Sequence, residues 1–213
     1  MKIVRFEVNL FGENTYVLFD EDSKDAIVVD PGMMADSERD AVERFLKSSE
    51  LHLQKIILTH AHVDHAASAA WLAAKYNTPI YASEADAPLA EALPEQVKQF
   101  HLKIQLDPLH IDHYLKEGDV LKLAADEIKV LEVPGHSPGG LAYYVPSDNL
   151  IITGDSIFPG SIGRTDLYGG SQQQLVASVK SKIMTLPLDT MIVPGHGPTT
   201  TVGQEKNYNP YLY

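Results

Sequence analysis

Four short motifs carry histidine and aspartate side chains, and each motif follows an apolar run with the character of a strand. They are Thr59-His60-Ala61-His62-Val63-Asp64-His65, Pro134-Gly135-His136-Ser137, Thr153-Gly154-Asp155-Ser156 and Pro194-Gly195-His196-Gly197. Loops at the ends of buried strands are where rigid scaffolds display catalytic and binding groups. Imidazole and carboxylate are both good ligands for zinc. The motifs therefore predict a metal centre assembled from the ends of several strands.

The spacing within the first motif indicates more than one metal ion. His60 and His62 are two residues apart, so an extended backbone can turn both imidazoles to one side. Asp64 and His65 fall where a helix is expected to begin, and their side chains can reach a second metal position nearby. A lone histidine at a strand end is usually a capping residue, but clustered imidazoles beside a carboxylate have no ready structural purpose. Four donors here and three in the later motifs exceed the needs of one tetrahedral ion, whereas two ions account for all seven.

Two divalent ions around one water would make hydrolysis possible without a nucleophilic side chain. They lower the pKa of a shared water, so that hydroxide can attack a carbonyl near neutral pH, and one of them stabilises the oxyanion. The chain contains no cysteine, which excludes a thiol nucleophile and thiolate ligands. Zinc is the metal we predict, with iron or manganese as alternatives because the same ligands accept them. Asp64 and Asp155 are the carboxylates expected to serve catalysis.

Asp30 has two interpretations. It stands in Val29-Asp30-Pro31-Gly32, where it can hold a ligand imidazole or Asp64 in orientation. It can equally be the first residue of a simple Asp-Pro-Gly turn.

The elements that must position these residues form a mixed α/β pattern. Helical periodicity predicts helices over 37–48, 64–76 and 172–186. Short β-branched or apolar runs predict strands over 2–9, 15–20, 26–29, 55–59, 80–82, 120–123, 128–133, 141–145, 150–153 and 190–193. The segment 83–116 reads as one or two helices and an irregular loop over the site, and its histidines at 101, 110 and 113 are not proposed as ligands. We expect a single domain over 1–213.

Composition restricts the partners. The net charge of -12 argues against a broad nucleic-acid groove, because such a groove neutralises phosphates with lysine and arginine. The N-terminal run is too short and too polar for a secretory signal, and no apolar run has the roughly 18 residues of a membrane helix. We therefore expect a cytoplasmic enzyme that acts on a small molecule. The oligomeric state stays open.

The order and residue content of the motifs resemble those of the metallo-β-lactamase fold superfamily. The resemblance runs from about residue 2 to residue 200 and implies an αββα four-layer sandwich, with two mixed β-sheets flanked by helices. It also implies how the donors divide. The first metal would take His60, His62 and His136, the second would take Asp64, His65 and His196, and Asp155 would bridge the pair.

Within that superfamily, the stretch from Asp155 to Leu167 looks like the glyoxalase II group, and in particular its short bacterial relatives. The resemblance implies hydrolysis of a thioester such as S-D-lactoylglutathione. Arg164 would bind a glutathione carboxylate or, alternatively, form a salt bridge with Asp166. Tyr144 is the second substrate-binding candidate, although only one of Tyr143 and Tyr144 can face the substrate from a strand. The C-terminal helical extension of full-length glyoxalase II is absent, and the short tail after His196 is expected to pack against the domain or cover a sheet edge.

The same fold supports other activities, and the sequence is more compatible with some of them than with others. A lactonase or other small-ester hydrolase is compatible with the ligands. A persulfide dioxygenase carries a similar Gly-Arg-Thr-Asp stretch but uses one iron without the full set of seven donors, so His65 and the Gly-His-Gly motif count against it. A β-lactamase is disfavoured by the lack of an export signal, an RNA-processing nuclease by the charge, and a diiron electron-transfer module by the lack of a flavin domain.

Overall fold

The computed structural model describes residues 1–213, and its first six strands form one mixed sheet. In sheet order these strands are β1 (Lys2–Val8), β2 (Glu13–Phe19), β3 (Asp25–Val29), β4 (His52–Ile57), β5 (Ile80–Ser83) and β6 (His113–Leu115). The chain runs antiparallel from β1 to β3 and parallel from β3 to β6. Parallel strands need crossover connections, and the helices described below supply them.

A second six-stranded sheet holds most of the remaining strands. Its members are β7 (Val120–Leu123), β8 (Asp126–Glu132), β9 (Leu141–Val145), β10 (Leu150–Gly154), β13 (Met191–Pro194) and β14 (Thr200–Thr201), in the order β14-β13-β10-β9-β8-β7. Only β10 and β13 are parallel neighbours. A small hairpin of β11 (Ile157–Phe158) and β12 (Ser161–Ile162) stands apart from both sheets.

Seven α-helices complete the chain. They are α1 (Asp36–Ser48), α2 (Val63–Ala66), α3 (Ala69–Tyr76), α4 (Ala87–Glu91), α5 (Leu93–Gln99), α6 (Gln172–Ser178) and α7 (Val202–Tyr208). None of them combines the length and the apolar character that crossing a membrane requires.

Burial on alternate strand residues shows how the layers stack. Val28 belongs to the apolar cluster that includes Val42 and Leu46 of α1, whereas its neighbour Ile27 faces the cluster shared with the second sheet. On the far side of that sheet, Ile151 packs with Leu175 of α6. Each sheet therefore presents one face to the other sheet and one face to helices, and the predicted αββα sandwich is confirmed.

The predicted helix over 64–76 is divided into α2 and α3, because one of its backbone hydrogen bonds is replaced by bonds to other parts of the chain. The Ser68 amide donates to the Pro31 carbonyl at 2.8 Å rather than to Asp64 four residues back. The Asp64 carbonyl instead accepts the side-chain amide of Asn9 at 2.9 Å. The break ties the start of α2, where the first motif ends, to two other loops.

Three further elements lie outside the metal-ligand motifs, and two of them differ from the sequence prediction. The helix predicted over 172–186 is α-helical only to Ser178 and continues as a wider π turn over Val179–Ile183. The C-terminal tail forms β14 and α7, and β14 pairs with β13, so the tail covers a sheet edge as expected. The segment 83–116 contains α4 and α5 as expected, and also β6, which the sequence pattern does not indicate.

Candidate metal centre

The predicted ligands converge where loops leave β4, β8, β10 and β13. Three sets of donors each have their ligand atoms within 4.8 Å of one another: His60 with His62 and His136, Asp64 with His65 and His196, and Asp30 with His60 and His65. The first two sets match the predicted division of the ligands. The strands are held in register by the two sheets, and the loops that follow them meet at one edge of the sandwich. Residues as far apart in the sequence as His60 and His196 are thereby brought together in space.

The first group consists of imidazoles. The distance from His62 Nδ1 to His136 Nε2 is 2.9 Å, and the distance from His136 Nε2 to His60 Nε2 is 3.2 Å. All three rings are buried.

The second group mixes imidazole and carboxylate. His196 Nε2 lies 3.3 Å from Asp64 Oδ2 and 3.3 Å from His65 Nε2. His65 is fully buried, whereas His196 and Asp64 are partly open to the pocket.

Asp155 stands between the two groups. Its Oδ2 is 3.7 Å from His136 Nε2 and 3.5 Å from His196 Nε2, and its Oδ1 is 3.4 Å from His65 Nε2. Burial alone would raise the pKa of this carboxyl, but the neighbouring His65 lowers the pKa below its usual range. Gly195 makes the approach possible, because a Cβ there would collide with Asp155 and lie 2.6 Å from His65 Cε1. Asp155 is therefore placed where one carboxylate can serve both groups.

The outer nitrogens of four histidines each face a protein oxygen. His60 Nδ1 lies 3.0 Å from Thr59 Oγ1 and His65 Nδ1 lies 3.0 Å from Asp30 Oδ2. His136 Nδ1 is 2.7 Å from the Arg164 carbonyl, and His196 Nδ1 is 3.1 Å from the Phe11 carbonyl. A ring nitrogen that donates outward leaves its partner nitrogen with a lone pair, and this is how proteins fix the tautomer of metal-binding histidines.

The interior of the cluster therefore collects acceptors rather than donors. The lone pairs of His60 and His136 face each other, and Asp155 Oδ1 is buried without any hydrogen-bond partner. Buried polar atoms without partners are costly, and facing lone pairs repel. Divalent cations resolve both problems, so the residues present fit a metal centre.

Asp30 lies directly behind the centre. Its Oδ1 accepts the Thr59 amide at 2.6 Å, and its Oδ2 lies 2.6 Å from Thr59 Oγ1 and 3.0 Å from His65 Nδ1. Its backbone has a φ of 50°, in the left-handed region that non-glycine residues rarely adopt. The Asp-Pro-Gly turn and the support of a ligand imidazole are thus the same feature, because the turn aims the carboxylate at His65.

Two side chains in the segment 83–116 support the site and were not predicted from the sequence. Asp86 is fully buried, and its carboxylate accepts the Ala61 amide at 3.0 Å and the Gly139 amide at 2.6 Å. Gln96 accepts the Val63 amide at 2.9 Å and donates to the Ala61 carbonyl at 3.1 Å. Both side chains tie this segment to the first motif, and nothing in their local sequence marks them.

A further missed support stands at the start of β2. The Asn14 amide nitrogen donates to the carbonyls of Pro194 and Gly197 at 3.0 Å each, and the Asn14 backbone amide donates to Gly195 at 2.8 Å. Asn14 is fully buried. It therefore clamps the loop that carries His196 onto the first sheet.

A pocket of about 330 Å³ opens beside the donors. Its lining residues are His62, Asp64, His136, Asp155, His196, Arg164, Phe11, Phe100, Phe158 and Leu167. Phe100 comes from the segment 83–116, so that segment forms part of the wall, as expected of a loop over the site. Arg164 lines the pocket, and its Nε and Nη2 each donate to Asp166 at 2.8 Å. The hydrogen bonds from Arg164 lower the pKa of Asp166 to about 2.

Tyr144 is not part of this pocket, and its predicted role in substrate binding is wrong. Its side chain packs on the outer face of the second sheet, in the cluster that includes Leu175 and Val179. Tyr143 points the other way, is fully buried between the sheets, and donates to the Leu58 carbonyl at 2.6 Å. Neither face of β9 borders the site, since the site lies beyond the end of the strands.

The two groups also differ in the protonation that their surroundings favour. Burial holds the pKa of His60 well below its ordinary value, and burial together with His136 lowers the pKa of His62 to about 3. Burial opposes protonation of His65 as well, but nearby carboxylates, Asp155 foremost, outweigh it and raise the pKa of His65 well above normal. The pKa of His196 is raised in the same way, chiefly through its hydrogen bond with Asp64.

Comparison with known proteins gives a consistent family. The sequence matches the family model of the metallo-beta-lactamase superfamily over residues 8–196. Hydroxyacylglutathione hydrolase GloC of Haemophilus influenzae is 36% identical, with 100% of this chain and 98% of the relative aligned. Probable metallo-hydrolase YqgX of Bacillus subtilis is 35% identical with the same coverage.

Solved structures agree with this assignment. The BLEG-1 B3 metallo-beta-lactamase superposes with a TM-score of 0.89 at 34% identity, over 99% of both chains. TTHA1623, solved in a di-iron-bound form, superposes with a TM-score of 0.86 at 34% identity, over 98% of this chain and 100% of its own. With matching motifs, fold and full-length relatives, the chain belongs to the metallo-β-lactamase superfamily and is one of its metallo-hydrolases.

Proposed function

We propose that the protein is a dinuclear metal-dependent thioester hydrolase of the glyoxalase II type, acting on S-D-lactoylglutathione or a similar small thioester. The observation that carries the dinuclear part is the set of seven inward donors in two groups with Asp155 between them. The thioester part is supported by full-length similarity to a relative named hydroxyacylglutathione hydrolase. Two bound divalent ions would supply an activated water near neutral pH and a polarised carbonyl.

The chain's own residues would then have separable roles. His60, His62 and His136 would hold one ion, while Asp64, His65 and His196 would hold the other. Asp155 would bridge them and, with Asp64, keep the reacting groups in position. Asp30, through its contact with His65 Nδ1, would fix the orientation of a ligand ring.

Zinc is the proposed metal, and iron is the principal alternative. The donor set contains only imidazole and carboxylate, which suit zinc, iron and manganese alike. The similar protein TTHA1623 was solved in a di-iron-bound form. Metal analysis of the purified protein decides among them, and close to two ions per chain are expected.

The proposal is tested by following thioester absorbance when metal-loaded protein meets S-D-lactoylglutathione. Asp155→Ala should abolish turnover and disturb both metals, while Asp22→Ala, which removes an exposed carboxylate far from the donors, should preserve both. Full activity of Asp155→Ala would refute the dinuclear mechanism. One firmly bound iron with no second ion would favour a persulfide dioxygenase instead.

A ring-opening hydrolase is the second candidate. The superposition with the BLEG-1 B3 metallo-beta-lactamase favours it, because the same centre could attack a cyclic amide or ester. Turnover of a lactone or β-lactam, by protein shown to hold two metals and inactive on thioesters, would establish this candidate.

A further inference from the structure

The mouth of the pocket is formed by apolar side chains from distant parts of the chain. Phe11 lies in the turn between β1 and β2, Phe100 follows α5, and Phe158 ends β11. The rings of Phe11 and Phe100 meet edge to face with centroids 5.8 Å apart, and Phe158 stands 6.3 Å from the ring of His196. Leu167 completes the wall, and all four side chains are only partly buried.

This wall has the character of a binding surface. Three phenylalanine rings left partly in water beside a pocket forgo the free energy that burial would provide. An apolar group seated between them would recover that free energy. Because the wall lines the same pocket as five of the donors, it faces a group attached to the scissile bond. Its apolar character suits the thiol side of the thioester rather than the small, polar lactoyl group.

The charged residues of the pocket also favour an uncharged group on the substrate. Among the ten lining residues, Arg164 is the only lysine or arginine. Its Nε and Nη2 are both engaged by Asp166, so the bidentate face that suits a carboxylate is already occupied. The Arg164 carbonyl is likewise engaged, by His136 Nδ1. An anionic leaving group would have to displace Asp166 or accept a single bond from Nη1.

We infer that the leaving-group half of the substrate is an uncharged, apolar thiol, and that Asp166 sets this specificity by occupying Arg164. The inference rests on the thioesterase function proposed above. In that reaction water adds its oxygen to the acyl carbon, the carbon–sulfur bond breaks, and the sulfur leaves as a thiol with a proton from the water. The wall of phenylalanines would hold the group attached to sulfur.

Three thioesters with the same D-lactoyl group separate charge from apolar contact. Their thiols are benzyl mercaptan, which is aromatic and uncharged, N-acetylcysteamine, which is small and uncharged, and glutathione, which carries two carboxylates and one ammonium. The benzyl thioester should have the highest kcat/KM, about tenfold or more above the glutathione thioester, a ratio within reach of apolar pocket contacts. A glutathione thioester hydrolysed as well as the benzyl thioester, or better, would overturn the inference and leave the thioesterase function intact.

Two variants assign the preference to residues. Phe100→Ala should lower kcat/KM for the benzyl thioester more than for the glutathione thioester. Asp166→Asn should raise the ratio of glutathione to benzyl kcat/KM about threefold, as expected for freeing an exposed arginine. Asp36→Asn is the matched control, because it removes an exposed aspartate that pairs with Arg39 away from the pocket.

The outcomes are distinguishable. An unchanged or lower ratio in Asp166→Asn would remove Asp166 from the specificity. A kcat/KM for the glutathione thioester that falls tenfold or more in Arg164→Met would show that Arg164 binds the substrate carboxylate despite Asp166, and would overturn the inference. Failure of the metal-loaded protein to hydrolyse any of the three thioesters would overturn the proposed function, and the leaving-group inference with it.

Discussion

The first donor group, His60, His62 and His136, offers three imidazoles, whereas the second combines two imidazoles with the carboxylate of Asp64. Burial and neighbouring rings favour neutral imidazole at His60 and His62 of the first group, with the pKa of His62 at about 3. In the second group the carboxylates raise the pKa of His65. A metal ion binds only deprotonated imidazole, so protons compete with the metal at His65 and hardly at all at His60 and His62.

The two groups would therefore bind their proposed metal ions under different conditions. The first group is prepared for a cation because its lone pairs are already exposed to one another. The second group is stabilised without a cation by ion pairs between its own members, and those ion pairs must be exchanged for metal bonds. We therefore expect the first group to fill at lower pH and lower metal concentration than the second.

Removing one ligand from each group should have the largest effect. His136→Ala should eliminate binding at the first group, and His196→Ala should eliminate binding at the second, each leaving close to one ion per chain. Turnover should fall at least about 100-fold in both, since each ion contributes several kcal/mol to the transition state. Metal analysis and thioester absorbance measure the two effects. Two tightly bound ions in either variant would contradict the division into groups.

A change of pH from 6 to 8 should raise the metal affinity of the second group more than that of the first. Below the pKa of a ligand histidine, metal affinity rises about tenfold per pH unit for each proton displaced. The raised pKa of His65 places this ligand of the second group in that regime, whereas the lowered pKa values of His60 and His62 keep these two ligands of the first group out of it.

The measurement uses the two ligand variants, because each leaves one group to be titrated against a chelator. Affinity in His136→Ala should climb with pH more steeply than affinity in His196→Ala. Equal slopes for the two variants would show that the carboxylates do not hold a proton on His65.

A crossed pair of supporting variants should have an intermediate effect. Asn14→Ala loses the clamp on the His196 loop and should weaken the second group about tenfold. Asp86→Asn loses an acceptor that joins the first motif to the His136 loop and should weaken the first group by a similar factor. Outer partners of metal ligands commonly contribute factors of about 10 to 100. Sequential metal titration measures both, and a loss spread evenly over the groups in each variant would mean a purely structural role.

The smallest effects are expected from two buried tyrosines, each of which donates a hydrogen bond to a strand end that leads to one of the groups. Tyr143→Phe loses a hydrogen bond to Leu58, which leads into the first motif, and Tyr16→Phe loses a 2.7 Å hydrogen bond to Pro194, which leads to His196. Each should lower the free energy of unfolding by about 1 kcal/mol in denaturant titrations. A loss near zero in Tyr16→Phe would show that the Pro194 turn is held by Asn14 alone.

Much of the metal centre was predictable because its signals are local. His60, His62, Asp64 and His65 stand within six residues, and spacing alone indicates that they act together. The later donors each follow an apolar strand, and strand ends in one sandwich must come to the same edge. Short β-branched or apolar runs similarly predicted most strands, whereas the layered fold was implied by the resemblance to the superfamily.

The supports of the centre were not predictable for the opposite reason. Asp86 and Asn14 look like any polar residue in the sequence, and their roles depend on which backbone amides and carbonyls reach them across 25 to 183 positions. Tyr144 failed as a prediction because strand alternation says that neighbours face opposite ways, but not that both faces lie away from the site.

The donor chemistry, the number of donors and the elements that carry them follow from the sequence, since residue type and short-range spacing depend only on neighbours along the chain. The tertiary structure decided which donors share a group, that Arg164 is occupied by Asp166, and that three phenylalanines surround the pocket. Those properties are distances between side chains on separate elements. They exist only once the two sheets have packed and burial has decided which hydrogen bonds each polar group can make.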